Sequence, residues 1–153
     1  MHALVFVLAL VVSGSPLSPA ADNDAIHAAL VAGDPSLTDP PTPLEDLVVA
    51  VELAEDKLRR ATDVDDVSDL LTLTAQGRKV AYRRSNDPLH LCRLIAAADH
   101  VLAREAVTPG LSAAASDFRD GARVPLGAAT CAEAKPPPAV RLPAPADDGA
   151  TPP

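Results

Sequence analysis

Arg78, Lys79, Arg83 and Arg84 fall within seven residues of one segment, with Tyr82 between them. Guanidinium and ammonium groups at that density can grip a phosphate, a sulfate or an acidic protein surface through charge-assisted hydrogen bonds. The same cations near the end of a helix would also offset its macrodipole, which is their plain structural use. A polynucleotide is a poor partner for them. The chain carries a net charge of −8 and one Tyr, so it offers neither a basic field nor a stacking platform. Enzymatic use of the cluster would add Arg93 and require Arg78, Arg83, Arg84 and Arg93 to surround one anionic substrate.

Carboxylates gather a turn or more upstream. Asp63, Asp65, Asp66 and Asp69 are weak candidates for holding Ca²⁺, since the segment lacks the central Gly and closing Glu of an EF-hand loop. Residues Asp65 to Asp69 also form a DDxxD string, which resembles the motif that holds Mg²⁺ and a diphosphate in isoprenoid synthases. That resemblance spans five residues, and the second acidic motif of such enzymes has no counterpart. The structural alternative is a helix start, where the macrodipole favours carboxylates. His90 and His100 stand ten residues apart, about 80° in azimuth and ~15 Å along one helix, so they cannot share a metal. With no CxxCH, HExxH, Gly-rich phosphate loop or Ser/His/Asp string, no catalytic residue and no cofactor is expected.

Cys92 and Cys131 are the only cysteines. Their environment depends on where the chain goes. Ala3 to Val12 is an uninterrupted apolar run, and Ser18-Pro19-Ala20 places small residues at −3 and −1 of a cut after Ala20. That is the layout of a secretory signal over residues 1–20, too short to span a bilayer, although its n-region lacks Lys and Arg. An uncleaved N-terminal anchor is the alternative. Export to a periplasm or the extracellular space would make Cys92–Cys131 a disulfide. No transmembrane segment is expected in the mature chain.

The elements that must position these groups read as helices. A short helix is expected over 22–32, capped by Asp24, followed by a Pro-rich extended linker over 34–43. Thr42-Pro43-Leu44-Glu45 has the form of a capping box. Leu44, Leu47, Val48, Val51, Ala54 and Leu58 then form one apolar stripe, with Glu55→Arg59 and Asp56→Arg60 pairs on the polar side. A second long helix runs from Asp63 to Ser85, with Gly77 on its inner face as a point of close helix approach. Asp87-Pro88 opens a third, carrying Leu91, Leu94, Ile95, Ala98, Val101 and Leu102. Thr108-Pro109 opens a shorter fourth, which ends at Gly121.

Short connections between such helices imply antiparallel neighbours. The expected fold is all-α: a small up-down bundle over 43–121, with three long helices and one or two short ones. Residues 21–42 supply the short helix and linker, and 122–153 a disordered Pro/Ala-rich tail, with eight prolines. Of the apolar residues after Ala20, 27 are Ala, so the core is thin and a staple is expected. The functional expectation is an exported interaction or binding module. Its partner would meet the Arg78–Arg84 patch or the tail. A self-associating envelope protein, or an enzyme acting on an anionic small molecule, are the alternatives.

Overall fold

The apolar stripes fold as helices. The structure, a computed structural model, describes residues 17–127 and Cys131, and among them it holds five α-helices and no strand. These are α1 (Asn23–Gly33), α2 (Leu44–Arg60), α3 (Val64–Ser85), α4 (Leu89–Leu102) and α5 (Pro109–Leu126). Touching residues fix their directions. Lys57, late in α2, reaches the carbonyl just before α1, whereas Leu47, early in α2, lies against Gly33 at the end of α1. Val51 faces Gly77, and Leu58 clusters with Leu70 and Leu71, so α2 and α3 run antiparallel. Val101 meets Leu111 while Leu91 and Leu94 meet Ala122, so α4 and α5 do too.

Three apolar clusters hold the bundle. Ile26 and Leu30 of α1 close over Leu47, Val51 and Ala54 of α2 and Val80 and Ala81 of α3. Leu58, Val67, Leu70 and Leu71 pack with Ala98, Val101, Leu111 and Ala115 at the other end. A smaller group, Ala75, Leu91, Leu94 and Ala122, joins α3, α4 and α5. Gly77 is the point of closest helix approach that the sequence suggested: a Cβ there would sit 2.8 Å from Val51 Cβ and 3.0 Å from Leu30 Cδ2.

The helix ends depart from expectation in several places. Asp22, not Asp24, caps α1, accepting the Ala25 amide at 2.8 Å. The capping box at Thr42 does not form; α2 begins at Leu44 with Pro43 before it and no side-chain cap. Asp63 does cap α3, its Oδ1 accepting the amides of Asp65 and Asp66. Thr108 caps α5 as expected, with Pro109 as the first helical residue. That fifth helix is not the short one predicted. It runs through Gly121 to Leu126, because Ala122 is buried against α3 and α4 and rewards continuation. The bundle therefore has four long helices and one short, and its boundary lies beyond Gly121.

Residues 34–43 are not an extended linker. Asp34 Oδ1 accepts from the Ser36 amide and hydroxyl, Thr38 Oγ1 donates to Val31 O, and the Thr42 amide returns to Ala32 O. This hydrogen-bonded loop folds back on the end of α1. Leu17 packs on the first cluster, and Lys57 Nζ donates to Ala21 O at 2.9 Å. The remainder of the expected signal, residues 1–16, and the expected tail beyond Cys131 lie outside the described residues. Cys92 and Cys131 stand at disulfide distance, with Cα atoms 5.4 Å apart. Among the described residues, no helix is long and apolar enough to cross a membrane.

Candidate functional site

The four cations of the basic cluster share a helix but not a site. Successive residues of α3 point in different directions, so Arg78 turns inward while Lys79, Arg83 and Arg84 turn towards its edges. Arg78 is 1% exposed. Its Nε and Nη2 donate to Glu55 Oε1 and Oε2 at 2.6 and 2.8 Å, a bidentate pair that consumes the fork. Glu55, expected on the polar side of α2 opposite Arg59, is instead buried. Asp56 takes over the local pairing, bridging to both Arg59 and Arg60.

His90 completes this interior group from α4. Arg78 Nη1 donates to His90 Nδ1 at 3.0 Å, so Nδ1 is unprotonated and the ring proton sits on Nε2. Burial lowers the affinity of His90 for a second proton, and the Arg78 charge lowers it further. Arg93 closes the group at its rim, 3.0 Å from Glu52 and 3.9 Å from Glu55. Two guanidiniums, two carboxylates and a neutral imidazole thus tie α2, α3 and α4 together. The arrangement holds its own charges and keeps Arg78 in the interior, away from any ligand at the surface. Beside it Thr74 Oγ1, on the same helix one turn earlier, is buried with no hydrogen-bond partner among the described residues.

The remaining cations meet different surroundings. Arg84 Nη1 donates to Gly33 O, capping the end of α1. Lys79 Nζ lies 5.1 Å from the centre of the Phe118 ring on α5. Arg83 is the most available, its side chain 59% exposed with one long bond to Asp34 Oδ2 at 3.3 Å. Arg83 and Lys79 both line a cleft of about 250 Å³ between α1, α3 and the 34–38 turn. Its floor is Leu30, Val31 and Val80, and Leu37 forms one wall. His27, Gln76 and Asp34 complete the polar side. Burial alone would raise the Asp34 carboxyl, but the Ser36 amide and hydroxyl, aided by Arg83, hold it below its ordinary value. The cleft therefore carries a fixed carboxylate as well as cations. Of the four guanidiniums an enzyme would need, only Arg83 lines it.

The acidic candidates do not form a cage. Asp63 spends an oxygen on capping, and among the described residues no group of three or more His, Cys, Asp or Glu is placed to hold a metal ion. Sequence reasoning missed Glu55, His90 and Asp34 as partners of the basic residues. Each lies on a different element from the arginine it meets, so no local spacing announces it. No family model matches the chain, and no curated protein and no solved structure matches it either.

Proposed function

We propose that the chain is exported and acts in a periplasm or extracellular space as a small helical interaction module. The observation that carries this reading is the α1–α3 cleft. There an apolar floor, an exposed leucine and the exposed Arg83 guanidinium lie together on a molecule of net charge −8. Such a patch is where an otherwise acidic surface offers a partner both apolar area and local positive charge. Export is supported by the Ala3–Val12 run with its Ser18-Pro19-Ala20 boundary. The Cys92–Cys131 pair suits an oxidising compartment. With Arg78 paired to Glu55, Arg84 on the end of α1 and Lys79 over Phe118, Arg83 is the one of the four sequence candidates most open to a partner.

The test is a photo-crosslinking residue placed at position 83 in the exporting cell, with position 49 on α2 as a control. Adducts to a polypeptide at position 83 and none at 49 are expected. Absence of adducts at 83, or equal labelling at both sites, would count against the module. Cell fractionation and intact mass of the same material check export and the cut after Ala20.

A further inference from the structure

The bond expected to be cut, Ala20–Ala21, is tied into the folded unit on both sides. Before it, Leu17 packs on the first apolar cluster; after it, Ile26, 0% exposed, fixes α1 in the same cluster. Between these points the chain turns. The Ala21 amide donates to Ser18 O at 2.9 Å, and the Ala20 amide to Ser18 Oγ at 3.2 Å. Lys57 Nζ, from the end of α2, donates to Ala21 O, and Asp22 caps α1 directly afterwards. Pro19, Ala20 and Ala21 line one hollow with Lys57 and Arg60 of α2 and Asp66 of α3.

A peptidase that reads small side chains at −3 and −1 takes them from one face of an extended strand, where alternate residues point the same way. Ser18 and Ala20 are exposed, but the Ser18 carbonyl is turned back onto the Ala21 amide, so the two are not presented in that form. Backbone shape, not cover, withholds the bond. We propose that docking of α1 on α2 and α3 closes Ala20–Ala21 to signal peptidase, so that the cut must precede folding and a chain that folds first keeps residues 1–20. Straightening the junction requires Leu17 to leave the cluster and Lys57 to give up Ala21 O, and cutting of the folded chain then follows the population of that opened form. The released chain and the chain that keeps its apolar Ala3–Val12 run are two outcomes of one competition between cutting and folding. This inference rests on the reading of residues 1–20 as a secretory signal and names what governs their removal.

Digestion of the full chain, residues 1–153, by detergent-solubilised signal peptidase tests it, with intact mass as the readout. The comparison is a chain that cannot fold, Val51→Asp with Ala54→Asp, which puts two carboxylates at 0% exposed positions and should lack the helical spectrum. The unfolded chain should be cut after Ala20, and the folded parent at least about tenfold more slowly. Lys57→Met, which alters no residue of the cut segment, and Leu17→Ser should keep the helical spectrum yet be cut severalfold faster than the folded parent. Equal rates for the folded parent and the unfolded chain overturn the proposal while leaving the signal in place. Protection undiminished in both Lys57→Met and Leu17→Ser overturns the junction contacts as its source. An unfolded chain left uncut after Ala20 overturns the signal reading and the proposal with it.

Discussion

Removing the Arg78 guanidinium would leave Glu55 buried without its partner. Truncating one member of a buried pair costs roughly 3–5 kcal/mol, whereas replacing both members with apolar groups of similar size is often neutral or stabilising. Arg78→Met should therefore lower stability by an amount in that range. Glu55→Leu with Arg78→Met should restore much of the loss, which urea unfolding of the two singles and the double would measure. His90 gives the same cluster a pH dependence. Its proton affinity is lowered in the folded chain by burial and by Arg78, with Arg93 acting the same way and Asp87 and Glu55 opposing. The unfolded chain takes up a proton near the ordinary value of 6.5, which the folded chain refuses until the pH is lower. This contribution is fully present above pH 6.5 and is lost as the pH falls through the folded value. His100, lowered by burial and by Arg104 and Arg59, adds the same sign. Unfolding free energies followed from pH 7.5 to 5 should decline, at most by about 1.4 kcal/mol per pH unit for each proton. The decline should be shallower in His90→Gln; an equal slope would place the linkage elsewhere.

At the scale of the helices, the sequence was legible where a residue's neighbours are its own neighbours in the chain. The α2 stripe, the Asp63 cap and the Thr108-Pro109 start depend on i, i+3 and i+4 relations, and all are present. Glu55 was misplaced because a carboxylate four residues before Arg59 looks solvated. Its true partner lies 23 residues away on α3. The end of α5 was misplaced for a related reason. Gly121 reads as a stop, but no atom of the described residues lies within 4 Å of a Cβ built there, while the next residue is buried in the third cluster. Gly77 is the opposite case, and it separates propensity from packing. In an open helix Gly→Ala should stabilise by about 1 kcal/mol. At Gly77 the added methyl meets Val51 and Leu30, both in the core, so Gly77→Ala should destabilise by about 1–3 kcal/mol through overpacking. Gly121→Ala, in open space on α5, should be neutral or stabilising. Thermal unfolding of the two variants side by side distinguishes the two effects, and a stabilised Gly77→Ala would show that α1 and α2 move apart freely.

Across the whole molecule, alanine supplies much of the apolar composition, and the core is divided into three clusters, each of which contains buried alanines. Small side chains let helices approach closely but remove little area from water, so each cluster contributes modestly. A domain of this size then depends on lowering the entropy of its unfolded chain. Cys92 and Cys131, 39 residues apart, do that by closing a loop containing the rest of α4 and all of α5. In the chain-entropy model, such a closure is worth roughly 4 kcal/mol, a large part of the ~5–15 kcal/mol by which domains are stable. Cys131→Ser removes the tether without cutting into the face of α4. If the tether acts through the unfolded ensemble, the variant should keep its helical spectrum yet unfold at lower urea. Its denaturant dependence should be steeper, because the released chain exposes more surface when unfolded. If the cystine instead acts only by packing beside α4, the slope should stay constant, and amide exchange should quicken in α4 without a comparable loss in α1 and α2. An unchanged midpoint would mean that the interior ion pairs and the α1–α2–α3 cluster hold the bundle without a staple.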